Sequence, residues 1–227
     1  MPYPADLEGK YLDYQIDPGR TMIGGGATVD GLLPRETTPA TVQVYIGQAP
    51  NPQGVIPMVA HNPPWTFTFL KYVAGAVTTA PLTGPVLTGP MSGCYLCKYT
   101  RLGQQSLAHI GTANGENSRE SIAAKTAWKR FVTQPDVHGL TGVSLVTGGN
   151  ASDYFVESEH DAAKIGGKLG RPPQVAGYFD AGAAYAMLLA PLAPHENSLG
   201  RPMVKVAAIK TMTLQPWSTI AAMRTWR

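Results

Sequence analysis

The chain contains few charged residues, and this scarcity argues against some classes of binding partner. Asp, Glu, Lys and Arg make up 15% of its 227 residues, well below the quarter that is usual for globular proteins. No run of five or six like charges occurs, and the formal net charge is only +3, so the sequence does not indicate a nucleic-acid partner. An acidic patch on a protein partner is compatible with this weak positive charge.

Cysteine is also scarce, because only Cys94 and Cys97 are present, in one Cys-Tyr-Leu-Cys unit. A secreted disulfide scaffold would need more bridges, and a structural zinc site would need a second pair of ligands. A redox pair would need Cys94 at a helix N-terminus, whereas Lys98-Tyr99-Thr100 is typical of a strand. Residues three apart on a strand point to opposite faces, so the two sulfurs should diverge.

Export and membrane signals are missing as well. Residues 1–8 have neither a basic start nor an apolar stretch, so no conventional signal peptide is predicted. Residues 72–97 carry no charge, but Pro81, Pro85 and Pro90 interrupt them, and lipid offers no partner to the backbone groups of irregular chain. We therefore predict no membrane span, and interpret this segment as buried loop and strand ends.

The chain does contain enough apolar residues to form one hydrophobic core. The hydrophobic fraction is 44%, with 25 glycines and 20 prolines, which favours a single domain over residues 1–227 that is rich in turns and strands. Residues 1–40 contain Pro18-Gly19, Gly24-Gly25-Gly26 and Pro34, and are predicted to be an irregular N-terminal wrap.

Alternating apolar residues predict the strands. Residues 41–46 alternate with a period of two, and residues 65–70 place Phe67 and Phe69 on one face. Residues 94–100 are predicted to form a hairpin with residues 106–110, joined by residues 101–105. Further strands are predicted at residues 143–146, 154–156, 187–189 and 204–209.

The clearest helix is predicted over residues 118–132. Ser118 suits the N-cap, Glu120 the first turn, and Lys129 and Arg130 the last turn. Shorter helices are predicted at residues 158–165 and at 218–227, the second capped by Ser218. A tandem, Leu82-Thr83-Gly84-Pro85 and Leu87-Thr88-Gly89-Pro90, predicts two tight turns that could also form a wall of an active site.

Cys94 and His109 are the candidate nucleophile and base. A thiol attacks as its thiolate, and a nearby imidazole can remove its proton and return one to a leaving group. In the predicted hairpin, opposed side chains lie about 4.5–5.5 Å apart, close enough for the two groups to meet. Gly93 leaves room for a substrate beside Cys94, and Ser92 with Gly93 could line an oxyanion site.

The residue that orients His109 is less clear from the chemistry. Thr88 is the first candidate, and Thr83, Asn114 and Gln104 are alternatives. An inert, buried Cys94 is also compatible with the sequence, because free cysteine is among the most buried residue types.

These residues carry a resemblance to a known family. Thr88, the element Met91-Ser92-Gly93-Cys94 and the element His109-Ile110-Gly111-Thr112 resemble the catalytic core of the glutamine-deamidase toxin superfamily, which includes the cytotoxic necrotizing factor catalytic domain and Burkholderia lethal factor 1-like proteins. Met91 stands where that family usually has Leu, and Cys97 does not belong to the family's catalytic set. The chemoreceptor glutamine deamidases share a related Thr, Cys and His set.

The resemblance implies a fold and an activity. The fold would be of the α+β class, with a central mixed β-sandwich flanked by helices. The activity would be hydrolysis of a glutamine carboxamide in a target protein through a thioester, with Cys94 as nucleophile, His109 as base and Thr88 as the orienting residue. It would need no cofactor and no metal. Such a protein would be a bacterial toxin or effector, a virulence factor secreted or injected without a conventional signal peptide, that acts in the cytoplasm of a target cell.

Two other functions stay open at this point. A cysteine peptidase or small-molecule amidohydrolase could use the same Cys94 and His109 dyad, although the aromatic-rich surroundings of papain-like cysteines are not reproduced. A non-enzymatic, β-rich binding domain with an inert Cys94 is the third possibility.

Overall fold

The protein is mostly built from strands. A computed structural model describes residues 4–13, 32–34, 37–88, 94–112, 117–144, 155, 173–180, 182–223 and 226. The strands are β1 (Tyr11–Leu12), β2 (Leu32–Pro34), β3 (Thr37–Gly47), β4 (Met58–Leu70), β5 (Val77–Pro81), β6 (Val86–Thr88), β7 (Tyr95–Arg101), β8 (Gln104–Ile110), β9 (Val137–Ser144), β10 (Gln174–Phe179), β11 (Ala184–Leu192), β12 (Met203–Thr211) and β13 (Gln215–Pro216). The α-helices of these residues are α1 (Arg119–Val132) and α2 (Trp217–Ala222), with 3-10 helices at Pro4–Leu7 and Pro194–Glu196.

Seven of the strands close into a barrel, in the order β1-β12-β11-β10-β6-β4-β3. The closing strand β1 is only two residues long, and it pairs with β12 on one side and with β3 on the other. Trp65, Phe67 and Met187 are among the side chains that fill the barrel interior. Closure removes the exposed edges that an open sheet would present.

The other strands form a second sheet, in the order β13-β9-β7-β8-β5-β2, which is buried on both faces. One face packs on the outside of the barrel, where Leu96 and Leu107 of the sheet join Val86 and Phe179 of the barrel in one apolar cluster. The opposite face packs on α1 and α2 through Trp128, Trp217 and other apolar side chains, and on Trp226, which follows α2. The order of layers is therefore barrel, sheet, helices.

The predicted fold class is wrong. The sequence predicted an α+β fold with a central mixed β-sandwich flanked by helices, whereas the chain is mostly β, with a closed seven-stranded barrel, a second sheet and two α-helices in the part described. The error has a physical origin, because closure of the barrel depends on β1, which pairs with both β12 and β3. Strand β1 falls within residues 1–40, which were predicted to be irregular.

Several individual elements are confirmed. Strands β3 and β4 contain the predicted residues 41–46 and 65–70, and Phe67 and Phe69 share the barrel interior. Helix α1 begins after Ser118, whose hydroxyl accepts a hydrogen bond from the Ser121 backbone N–H at 3.1 Å. Strands β9, β11 and β12 overlap the segments predicted at 143–146, 187–189 and 204–209.

Other predictions are corrected or fall outside the described residues. Strands β5, β6 and β10 were not predicted as strands, and β5 and β6 occupy the segment interpreted as loop and strand ends. The last helix begins at Trp217 after Pro216, not after a Ser218 cap. The helix predicted at 158–165 lies outside the described residues, as do 145–146 and, except for Phe155, the strand predicted at 154–156. Within the described part of the chain, no helix is long and apolar enough to cross a membrane.

The contact between barrel and sheet generates a stability prediction at Gly177 of β10. A Cβ atom there would lie 2.6 Å from Leu96 Cδ1 and 3.0 Å from Phe179 Cε2, and both side chains are fully buried. We expect Gly177→Ala to lower the free energy of unfolding by about 1–3 kcal/mol, because overpacking forces neighbours off their rotamers. Denaturant unfolding measures the loss. Gly84→Ala is the matched control, since nothing lies within 4 Å of its added Cβ, and an equal effect of the two substitutions would contradict the prediction.

Candidate functional site

The hairpin of β7 and β8 brings the two candidate catalytic side chains to one face. Its turn is tighter than predicted: Leu102 and Gly103, with φ of 50° and 77°, connect Arg101 to Gln104, as in a two-residue type I′ turn. The register pairs Leu96 with His109. Cys94 is two positions before Leu96 and packs in the same cluster, so Cys94 and His109 face the barrel as diagonal neighbours, a relation that spans about 7–8 Å between strand positions.

The second cysteine is on the other face, as the sequence predicted. Cys97 packs with Trp128 and Trp217 on the helix side of the sheet, whereas Cys94 packs on the barrel side. Neither thiol takes part in a disulfide bond. Burial raises the pKa of the Cys97 thiol far above its ordinary value. Cys97 is therefore placed as a core side chain.

Cys94 is buried and its sulfur lies near a backbone acceptor. The side chain is 2% exposed, and its Sγ lies 3.8 Å from the carbonyl oxygen of Thr112. The same oxygen accepts a hydrogen bond of 2.7 Å from the hydroxyl of Tyr72. Tyr72 and Thr112 are only partly buried, so they form the more exposed side of the site.

His109 is the most unusual polar residue of the site. It is 1% exposed, and neither ring nitrogen has a hydrogen-bond partner among the described residues. Burial lowers the pKa of His109 from its ordinary 6.5 to about 3, because the charged imidazolium loses its hydration. At physiological pH the imidazole is therefore neutral, which is the form that can act as a base, and burial opposes its protonation. Its ring centroid lies 5.6 Å from that of Tyr72.

Thr88 lies across the layer boundary, on the barrel strand β6. It is fully buried, and its hydroxyl oxygen accepts a hydrogen bond of 2.8 Å from the backbone N–H of Gly177. A Cβ atom on Gly177 would lie near both Thr88 Oγ1 and Leu96 Cδ1, and Leu96 is the partner of His109 in the register. Thr88 therefore lies over the dyad face of the sheet, but its hydroxyl makes no hydrogen bond with His109.

The other residues predicted for the site are not brought to it or are not described. Thr83 is exposed in a turn, and Gln104 is exposed at the far end of β8, where its side chain donates to the Gln105 carbonyl. Asn114 lies outside the described residues. So do Ser92 and Gly93, the predicted site wall.

Three residues of the site escaped prediction from the sequence. Tyr72 contacts His109, and Thr78 pairs directly with His109 in the register of β5 and β8. Thr112 was noticed only as part of the His-Ile-Gly-Thr element. A signal for Thr78 would have been β5 itself, because a residue opposite His109 on an antiparallel strand shares its face; nothing local marks Tyr72.

The glycine of the His-Ile-Gly-Thr element has a packing role. A Cβ atom on Gly111 would collide with the Val73 carbonyl oxygen. Its N–H donates to the Ala76 carbonyl, and its own carbonyl accepts from the Gly75 N–H, at 2.9 and 2.8 Å. These contacts hold the turn that follows Tyr72 against the end of β8.

Neither a cluster of metal-ligating side chains in the described residues nor a matching family model or curated protein helps to define the site. In the part of the chain that the structure describes, no group of three or more His, Cys, Asp or Glu side chains could hold a metal ion. No protein-family model matches the chain, and no curated protein matches it.

The buried imidazole predicts a pH dependence of stability. The pKa of His109 is about 3 in the folded chain and lies below the ordinary 6.5. Between about pH 3 and pH 6.5 the unfolded chain therefore binds a proton at His109 that the folded chain does not bind. Stability contributed by neutral His109 is thus present above about pH 6.5 and is lost as the pH falls toward about 3, by on the order of a few kcal/mol. We expect His109→Gln to remove much of this slope in urea unfolding. Exposed His138→Gln is the control, and equal slopes in the two variants would contradict the prediction.

Proposed function

We propose that the chain is a cysteine-dependent hydrolase that converts a glutamine side chain of a target protein to glutamate. The observation that carries the proposal is the placement of Cys94 and His109 on one face of two paired strands, with the imidazole neutral and unpaired among the described residues. A thiol and a proton acceptor on the same face of a sheet are the minimum set of groups for acyl transfer.

The proposed reaction uses the neutral state of both groups. His109 takes the proton of the Cys94 thiol as the sulfur attacks the carboxamide carbon, and a C–S bond forms. His109 then returns that proton to the departing nitrogen, the C–N bond breaks and ammonia leaves a thioester. Water, deprotonated by His109, attacks the thioester, so that the carboxylate forms and Cys94 recovers its proton. No cofactor takes part in these steps.

The choice of a protein glutamine as substrate rests on the resemblance of the Thr88, Cys94 and His109 elements to the glutamine-deamidase toxin superfamily. The same resemblance supports a role as a bacterial toxin or effector whose partner is a protein of the target cell. A net charge of +3 is compatible with an acidic protein partner.

Oxygen-18 labelling tests the reaction. The purified chain is incubated with a eukaryotic cell lysate in water enriched in oxygen-18, and glutamine-to-glutamate conversion is mapped by peptide mass spectrometry. We expect glutamate sites that carry one heavy oxygen, because water resolves the thioester. Cys94→Ser should abolish them and His109→Gln should reduce them by about a hundredfold or more, since general base catalysis contributes 10²–10⁴-fold.

Cys97→Ser is the matched control and should leave the conversion intact, because its sulfur lies on the opposite face of the sheet. New chain termini that depend on Cys94, in place of labelled glutamates, would identify a peptidase. The deamidase proposal fails if the wild type and Cys94→Ser give the same set of glutamates.

A second candidate function, a non-enzymatic β-rich binding domain, is favoured by one observation. Cys94 is 2% and His109 1% exposed, a degree of burial that packed core residues also show. In that case His109 would be a buried neutral histidine and Cys94 an inert thiol.

Thiol labelling separates the two functions. With limiting iodoacetamide near pH 7, we expect Cys94 to be alkylated faster than Cys97, because His109 can accept its proton whereas burial raises the pKa of Cys97. Tandem mass spectrometry assigns the modified residue. Slower labelling of Cys94 in His109→Ala would support the dyad, and equal, slow labelling of both thiols in the wild type would support the binding domain.

A further inference from the structure

We propose that Tyr72 is a positioning residue of the Cys94 and His109 dyad, through its hydroxyl on the Thr112 carbonyl and its ring against the imidazole. This inference rests on the proposed hydrolase function and adds a residue to its site. Tyr72 is not part of the elements that carry the resemblance.

The first observation is a shared acceptor. The Thr112 carbonyl oxygen receives the Tyr72 hydroxyl at 2.7 Å and lies 3.8 Å from Cys94 Sγ. A carbonyl that accepts from a thiol stabilises the protonated thiol and opposes the thiolate. The Tyr72 hydroxyl donates to the same oxygen, so that this oxygen accepts less strongly from the thiol and stabilises the protonated thiol less.

The second observation is the ring contact with His109. The Tyr72 and His109 ring centroids are 5.6 Å apart, and Tyr72 packs against the apolar cluster that contains Cys94. His109 has no hydrogen bond within the described residues, so the packing of this ring is a contact that restricts the imidazole. Burial, followed by the charge interaction with Cys94, raises the pKa of Tyr72 to about 12, which keeps its hydroxyl protonated as a donor.

The third observation explains why Tyr72 is held there. The buried hydroxyl of Thr78, opposite His109 in the register, donates a 2.7 Å hydrogen bond to the carbonyl of Lys71, the residue before Tyr72. The turn that follows Tyr72 packs directly against Gly111, which leaves room for the Val73 carbonyl because it has no side chain. The residue before Tyr72 is thus held by Thr78 and the turn after it by Gly111.

The test is the pH dependence of Cys94 alkylation by iodoacetamide in the full chain. Tyr72→Phe keeps the ring and removes the hydroxyl, so that the Thr112 carbonyl accepts more strongly from the thiol. We expect the midpoint of the pH-rate profile to rise by roughly half a unit or more, which slows alkylation near neutrality about threefold. A residue with only a structural role would change the melting temperature without moving this midpoint.

Two further variants sharpen the test. Thr78→Val releases the Lys71 carbonyl and should shift the midpoint in the same direction as Tyr72→Phe. Tyr99→Phe is the control, because Tyr99 packs on the helix side of the sheet, and its profile should match the wild type.

The outcomes distinguish this inference from the proposed function. A reactive Cys94 whose midpoint is unchanged in Tyr72→Phe and Thr78→Val overturns the role of Tyr72 and leaves the hydrolase standing. A wild-type Cys94 that is alkylated no faster than Cys97 overturns both.

Discussion

Burial of the second sheet on both faces is the constraint on which the site depends. Strands β7 and β8 lie between the barrel and the helices, so successive side chains enter two different apolar layers. This alternation sends Cys94 and His109 to the barrel side and Cys97 to the helix side. One geometric fact therefore gathers the dyad, separates the two thiols and removes the imidazole from water.

The apolar layer between the second sheet and the barrel also determines the protonation states of Cys94 and His109. An imidazolium and a thiolate would each lose hydration there, and their attraction repays that loss only with good geometry and further hydrogen bonds. The pKa of about 3 for His109 and the proximity of Cys94 Sγ to a carbonyl oxygen both favour a neutral pair at rest. Proton transfer would then accompany attack on the substrate, since a resting ion pair is disfavoured.

The sequence was sufficient for what local patterns encode. Period-two alternation located β3 and β4, the cap at Ser118 located α1, and the Cys94 hairpin was found with its partner strand. Barrel closure was beyond such patterns, because it depends on Tyr11–Leu12, too short to show a period. Tyr72 was missed for a related reason: it lies in the connection between β4 and β5, next to His109 because β5 pairs with β8, and β5 was interpreted as loop.

The same pairing indicates how a buried dyad could still meet a substrate. Tyr72 and Thr112 are partly exposed, whereas Cys94 and His109 behind them are not. Among the described residues of the site, Tyr72 and Thr112 are therefore the ones that a substrate would meet first. The residue that we propose to position the dyad is thus also one of the two partly exposed residues of the site. A carboxamide bound beside His109 would offer both a donor and an acceptor to ring nitrogens that have no hydrogen-bond partner among the described residues.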